Sequence, residues 1–503
     1  MFKDVVKGIA KNTSVLFFQQ IVTWISTFLL MLFVPRYLGP VEYGHLYLAN
    51  SIIDVFRIIV WWGANSLVVK LVSRSPDQTG QIIADSSGVR LLLGIGGFAC
   101  TMLLAEALNY GPEMTALLFI MGTGLIWTGA LDVFKASYQA HELMQYSSIG
   151  TVVQQGLVSI LSIGALLMGG RAKSVALAGV VANLINLLLL MRYRHAITTK
   201  IPRVNWANAF KHLREGVPYL LMAVFSTIYY RIDAFMISRL TPEVVVGWYG
   251  GAYRLFDVLS FFPYIFGTAL YPALSRLWTS EEDVHRKTVH KSIEFMIMGS
   301  IPIGITVVMF ADKIVQLFYG TTGYEQSIPV YQILIAGLPL LYVDFVLATT
   351  LVSSDRQREL SFVSLGAIPV NILLNLVMIP YFQQRLGNGG LGAAIATVVT
   401  EVGIMAAFLS LMPRGLMTGF RSEVIVKSLA AGAIVGGGLW GLRILGFPWP
   451  LVAFFGPILY LLLLILAKAF EPEEERVLRG LFSTNGFFGL AQLFKSVTHT
   501  RRP

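Results

Sequence analysis

Charge is scarce in this 503-residue chain: 13% of residues are Asp, Glu, Lys or Arg, and 55% are hydrophobic. A soluble globular domain carries about 25% charged residues. The shortage excludes an ordinary soluble fold, and a mean hydropathy of +0.68 implies a membrane protein. Cysteine is scarcer still. Cys100 stands alone, which excludes an intrachain disulfide framework and a four-cysteine zinc site. The histidines are scattered and none stands in HExxH spacing, so no metal site is expected. No GxxxxGK[ST] occurs, which leaves no ATP-hydrolysing phosphate loop. The glycine-rich stretches GIGG (94–97), GGLG (389–392) and GGG (436–438) read instead as small-residue contacts between helices.

What fills the chain is long apolar runs. A crossing helix needs about 20 such residues. On that rule about fourteen spans are expected, at 13–35, 45–68, 86–108, 114–134, 146–168, 174–191, 216–238, 245–275, 292–311, 328–352, 361–382, 389–412, 425–442 and 450–467. The first run exceeds a signal-peptide core of roughly 7–15 residues and lacks an A-x-A cleavage site, so it is expected to be retained. With the N-terminus placed in the cytoplasm, most of the 38 Lys and Arg fall in cytoplasmic connections. The outer connections hold only Arg36, Arg171, Lys173, Arg239, Lys313, Arg385 and Arg443. That asymmetry predicts an even number of spans with both termini cytoplasmic. The net charge of +10 is therefore a topology signal, reinforced by anionic lipid on the inner leaflet, and nucleic acid is not an expected partner.

The chain also repeats itself. PRYLGPVEYGHLYLANSIIDVF (35–56) matches SRLTPEVVVGWYGGAYRLFDVL (238–259) without a gap, 203 positions on. Arg36 aligns with Arg239, Val41 with Val244, Gly44 with Gly247, Ala49 with Ala252 and Asp54 with Asp257. Span 2 thus maps onto span 8, and an even repeat of six spans gives parallel halves, a standard transporter design with substrate between the halves. The expected fold is an all-α polytopic membrane protein with two parallel six-helix halves plus two C-terminal helices. Its expected divisions are an N-terminal lobe at 1–195, a cytoplasmic linker at 196–215, a C-terminal lobe at 216–412, two additional helices at 413–470 and a cytoplasmic tail at 471–503.

An unpaired ion at the bilayer centre costs on the order of 3 kcal/mol or more, so charges inside spans need a reason. Asp54 and Arg57 are three apart on one helix and share a face, as do Arg254 and Asp257. Arg231 and Asp233, in TIYYRIDAFMIS (227–238), are two apart and point in different directions. Intramembrane ion pairs that lock helices together are the plain explanation. The functional one is a basic cavity between the halves, in which Arg57, Arg231, Arg254 and Arg90 hold an anionic head group such as pyrophosphate. Asp54, Asp233, Asp257 and Asp344 are then candidates for binding a coupling proton or sodium ion, the only cofactor-like species expected. Tyr229, Tyr230, Tyr253 and Trp61 flank the arginines and are candidate sugar or lipid contacts.

These stretches resemble a known family. VPRYLGPVEYG (34–44), YYRIDAFMIS (229–238), VGWYGGAYRLFD (246–257), ALYPALSRL (269–277) and NILLNLVMIPYF…GGLGAAIATVVTE (371–401) are similar to the bacterial polysaccharide-transport family of the multidrug/oligosaccharidyl-lipid/polysaccharide exporter superfamily. The resemblance runs from about residue 8 to about residue 412. It implies an inner-membrane flippase that moves an undecaprenyl-pyrophosphate-linked oligosaccharide to the periplasmic leaflet by alternating access, for O-antigen, capsule or exopolysaccharide synthesis. It also implies membrane lipids, a polysaccharide polymerase and a chain-length regulator as partners. In the related lipid II flippases, cavity arginines lie on helices 1, 2 and 8. Arg57 and Arg254 match two of those places, and the first span offers only Gln19 and Gln20. The rival readings are a cation-coupled multidrug or lipid II exporter of the same superfamily, or a polysaccharide polymerase. An enzyme is not expected: the longest outer connection, about 312–327, holds only Asp312, Lys313 and Glu325 as charged residues, and no catalytic residue is assigned.

Overall fold

A bilayer offers backbone N–H and C=O groups no partner but each other, so an apolar run that crosses it must close its hydrogen bonds internally. The computed structural model describes residues 2–62, 64–321 and 323–471, and every regular element among them is helical. Apart from Glu471, the expected tail at 471–503 lies outside the described residues. The helices are α1 (Phe2–Trp61), α2 (Ala64–Arg74), α3 (Thr79–Ala107), α4 (Pro112–Ala140), α5 (Met144–Leu167), α6 (Ala172–Arg192), α7 (Trp206–Leu240) and α8 (Glu243–Ser280). There follow α9 (Glu282–Met309), α10 (Ala311–Tyr319), α11 (Ser327–Ala336), α12 (Leu338–Ser353), α13 (Gln357–Leu386), α14 (Gly389–Leu411), α15 (Ser422–Ile444) and α16 (Trp449–Leu466).

Eleven helices among the described residues are long and apolar enough to cross a membrane. The first, Ser14–Trp61, has 48 residues, about 72 Å at ~1.5 Å per residue, or more than two hydrocarbon thicknesses of ~30 Å. It is broken at Gly39, whose φ of 71° and ψ of 172° suit only a residue without a Cβ. Pro40 follows and has no N–H to continue the ladder, so this one element supplies two crossings. α11 and α12, bent by 43° across a short break, pass the same test as a pair. α7 has 35 residues, long enough to cross, with Arg231 and Asp233 lowering its hydropathy. Counted this way, the helices supply the number of crossings expected from the sequence. The chain is an all-α, multi-pass membrane protein.

The chain forms two compact units. The first comprises Met1–Leu259, Ile314–Leu334 and Gln357–Ala407, and the second Ser260–Lys313, Ile335–Arg356 and Phe408–Pro503. Within the first unit, Val68, Val72, Ile83, Leu131, Phe134 and Leu190 form a dry cluster joining α2, α3, α4 and α6. Small residues let its helices close up. A Cβ on Gly94 would sit 2.5 Å from the Leu125 carbonyl oxygen, and one on Gly392 would overlap the Met378 carbonyl. The GIGG and GGLG stretches are thus helix contacts, whereas Gly437 and Gly438 face open space. In the second unit α9 carries a fully buried His285 and a nearly buried Glu294. Lys291 of α9 ties Glu294 (2.9 Å) to Glu471 (2.8 Å), which fixes the end of the described chain onto α9.

Candidate functional site

The second half of α1 repeats polar residues at helical spacing. Tyr43, Tyr47, Asn50, Asp54 and Arg57 recur every three or four positions, so they fall on one face. All five line a single cavity of about 450 Å³ inside the first unit. α7 contributes Arg231, α8 contributes Arg254 and Asp257, α5 contributes Gln154 and Gln155, and α6 contributes Asn183. Apolar side chains such as Met31, Leu125 and Val158 complete the wall.

Charge in the cavity is mixed. The Arg231 Nη2 lies 3.0 Å from Asp54 Oδ2, both side chains being about a third exposed (28% and 31%). Asp257 lies within electrostatic reach of Arg231, Arg254 and Asp54. Arg57 and Arg254 make no hydrogen bond and no ion pair among the described residues. The pairs anticipated along single helices therefore do not form: Asp54 is taken by Arg231 across the α1–α7 interface rather than by Arg57 on its own helix. Three guanidiniums thus share the space with two carboxylates, and two of the three have donors to spare.

The sequence repeat is also a physical contact. A Cβ on Gly44 would lie 2.7 Å from the Gly247 nitrogen, and one on Gly250 would lie 2.6 Å from the Tyr47 ring. Both are pairs of residues equivalent in the repeat. Ala49 and Ala252 are both fully buried, and Asp54 and Asp257 both face the cavity. Repeat-equivalent residues therefore meet where α1 packs on α8, and His45 of α1 lies 3.0 Å from Glu243 of α8.

Asp233 diverges from Arg231 into a separate, dry polar cluster. Its carboxylate accepts from Tyr249 Oη (2.8 Å), Asn375 Nδ2 (2.7 Å) and Thr397 Oγ1 (2.6 Å), and Asn375 also donates to Asn371 Oδ1 (2.9 Å). The Asn375 Oδ1 atom is buried with no hydrogen bond. Asp233, Asn371, Asn375 and Thr397 thus form one buried hydrogen-bonded cluster joining α7, α13 and α14. Tyr229, one turn away, donates to Glu401 Oε1 at 2.7 Å.

The other candidates lie elsewhere. Arg90 is 2% exposed and donates to the carbonyls of Ser86 (3.0 Å) and Trp61 (3.3 Å), and it does not line the cavity. Asp344 is buried on α12 in the second unit. Tyr229, Tyr230, Tyr253 and Trp61 are absent from the cavity wall, where the aromatic rings are those of Tyr43 and Tyr47.

The chain matches known proteins over most of its length. Residues 9–278 match the family model described as polysaccharide biosynthesis protein, and residues 218–377 match the model described as MatE. A curated relative, the probable low-salt glycan biosynthesis flippase Agl15 of Haloferax volcanii, is 20% identical over 474 residues, covering 90% of this chain and 94% of that protein. Among solved structures, the lipid II flippase MurJ in an inward closed conformation has the same fold. Its TM-score is 0.72 at 14% identity, with 91% of this chain and 99% of that one covered. An inward-facing multidrug resistance MATE family transporter gives a TM-score of 0.61 at 13% identity, covering 78% and 96%.

Proposed function

We propose, given that the chain belongs to the polysaccharide biosynthesis protein family, that it is a flippase. Its cargo on this reading is an undecaprenyl-pyrophosphate-linked oligosaccharide, moved from the cytoplasmic to the periplasmic leaflet of a bacterial inner membrane. Both termini are then cytoplasmic, and the lobes at 1–195 and 216–412 rock about the axis between α1 and α8. The polyprenyl tail stays in lipid, so the protein need only lower the cost of bringing a charged, hydroxylated head through an apolar slab. It does so as a transporter, without covalent chemistry.

The observation that carries this reading is the pair of guanidiniums that make no hydrogen bond among the described residues, Arg57 and Arg254, facing one cavity. A guanidinium can grip phosphate oxygens through parallel N–H donors, and in a lipid-walled cavity those donors replace lost water. Arg231, held by Asp54, supplies the third positive charge. Asp233 and its cluster serve in the same reading as the proton or sodium site, since α7 carries Asp233 and Arg231 only two residues apart. Ion binding at one is thus mechanically tied to the position of the other.

The test is flipping of a fluorescent undecaprenyl-pyrophosphoryl oligosaccharide by the full chain in proteoliposomes. Each charged hydrogen bond is worth about 1.5–3 kcal/mol, so Arg57→Ala and Arg254→Ala should each slow flipping by at least about tenfold. Arg57→Lys should retain part of the rate. Wild-type flipping by the Arg57→Ala/Arg254→Ala double variant, inserted at normal levels, refutes the reading. The presence of Asp54 and Asp257 in the cavity favours one rival, export of a cationic drug. That rival requires Asp257→Asn to abolish drug resistance while the arginine variants leave it intact.

A further inference from the structure

The cavity has a second polar wall that carries no charge. Its charged residues all come from α1, α7 and α8, whereas α5 and α6 present only amides: Gln154, Gln155 and Asn183. These amides are half-committed. Gln154 Oε1 accepts from Asn186 Nδ2 at 2.7 Å, and Gln155 Oε1 lies 3.3 Å from the Ser26 hydroxyl, whose one proton is shared with the Gln155 carbonyl (3.0 Å) and the Ser159 hydroxyl (2.6 Å). Neither amide nitrogen makes a hydrogen bond among the described residues. Asn183 Oδ1 is shut off from water and accepts nothing. On α1, Asn50 spends its Nδ2 on the Leu46 carbonyl at 2.8 Å, and its side chain also lines the cavity. The wall therefore offers two free amide donors, with Gln154 held from behind by Asn186 and the Asn183 oxygen shut in behind the cavity surface. Val158, Val175 and Val180 lie among them and give an apolar bed between the polar atoms.

That pattern suits one ligand chemistry. A hydroxyl is donor and acceptor at once, and an array of neutral amides satisfies it without competing for a phosphate as a cation would. A pyranose ring presents hydroxyls around its edge and C–H groups on its faces, which the valines can cover. An apolar lipid tail would displace water from the two free glutamine donors without replacing it, a cost that sites built for hydroxyls use to reject ligands lacking them. A cavity of about 450 Å³ lies within the roughly 300–1,000 Å³ of small-ligand sites, so it receives the part of the glycan next to the phosphate and not a long oligosaccharide.

We propose that Gln154, Gln155 and Asn183 form a sugar subsite beside the phosphate-binding arginines and select the sugar attached to the pyrophosphate. This inference rests on the lipid-linked oligosaccharide reading and assigns the amides a role separate from that of the arginines.

The experiment measures Kd of the full-length protein in nanodiscs for two probes, undecaprenyl pyrophosphate and undecaprenyl-pyrophosphoryl-N-acetylglucosamine. The wild type should favour the sugar-bearing probe by about tenfold, the scale of one or two hydrogen bonds. In Asn183→Leu and in Gln154→Leu, on different helices so that a folding defect in one leaves the other informative, the ratio of the two Kd values should fall toward unity. In Arg57→Ala both probes should weaken while the ratio persists. A ratio left at its wild-type value in both amide variants overturns the subsite and spares the flippase reading. A wild type that binds neither probe overturns both.

Discussion

Replacing Gly247 with alanine tests whether the contact between α1 and α8 is a working joint. A Cβ at Gly247 would lie 2.6 Å from the Pro40 carbonyl carbon and 2.9 Å from its Cα, and nearer still to its carbonyl oxygen. Ordinary contact begins near 3.4 Å, so the two backbones must separate by at least 0.8 Å at this point. No rotamer change can absorb it, because every atom encountered is main chain. Overpacking of this kind costs about 1–3 kcal/mol, and a penalty confined to the closed contact shifts a two-state equilibrium by about 5- to 150-fold. The arrangement with α1 and α8 in contact loses by that factor, and on the proposed reading alternating access slows because one of its end states is depleted. Gly44→Ala should act more weakly, its Cβ meeting the Gly247 nitrogen at 2.7 Å and Cα at 3.1 Å. Gly39→Ala meets nothing within 4 Å and carries only the strain of its Gly-type backbone conformation, about 1–3 kcal/mol. The lone cysteine makes the assay simple: in a Cys100→Ser background, Ala49→Cys places a thiol where the wild type is fully buried. Its maleimide labelling rate in membranes should rise with Gly247→Ala by the same 5- to 150-fold factor. Unchanged labelling together with undiminished flipping would show that the contact is not a joint.

Two other perturbations separate ion binding from simple packing. Asp233→Asn leaves Tyr249, Asn375 and Thr397 facing a group with one acceptor oxygen instead of two, at about 1–3 kcal/mol for each stranded donor. If this cluster holds the coupling ion, the wild-type Tm should rise with sodium or with acid, and the Asp233→Asn response should be flat; equal responses in both proteins place the ion elsewhere. At the end of the described chain, the hydrogen bond from Lys291 holds the Glu471 carboxyl below its ordinary 4.5, with burial opposing and the charges of Lys291 and Arg421 assisting. A depressed carboxylate pKa stabilises above the unfolded value and loses that contribution as pH falls through the folded one. Protection against hydrogen exchange in 467–471, taken relative to the intrinsic rate at each pH, should therefore fall as pH drops below about 4.5 in the wild type. In Glu471→Gln it should be low already at neutral pH, and a pH step that survives this substitution contradicts the assignment.

Much of the site was legible because charge in an apolar helix is conspicuous. Arg57, Arg231, Arg254, Asp54 and Asp257 stand out in the sequence and all face one cavity. The alignment of Gly44 with Gly247 paired two residues that touch each other in the structure. Neighbours on a helix point about 100° apart, and the aromatics adjoining the arginines in sequence, Tyr230 and Tyr253 among them, do not line the cavity. The aromatics on the arginine face are Tyr43 and Tyr47, found by counting back from Asp54 and Arg57 in threes and fours. Arg90 was indistinguishable from the cavity arginines by type. Only packing reveals that it points into the lobe and spends its donors on two carbonyls. The amides of α5 and α6 left no signal, since a glutamine costs far less in a membrane helix than an ion and is easily read as part of the run.

The mixed charge of the cavity bears on how a transporter releases its cargo. Three guanidiniums alone would repel one another in the empty state and hold a pyrophosphate too firmly to let it go. Asp54 and Asp257 offset the repulsion, and Asp54 fixes Arg231 in place, so the donors are oriented before cargo arrives. They also compete with the incoming phosphate for the same N–H groups. A site that must fill on one side and empty on the other needs binding strong enough to admit and weak enough to release. On the proposed reading the aspartates supply that weakness. Asp54→Asn should accordingly bind head group more tightly and turn over more slowly, the opposite of what a helix-locking ion pair would do when broken.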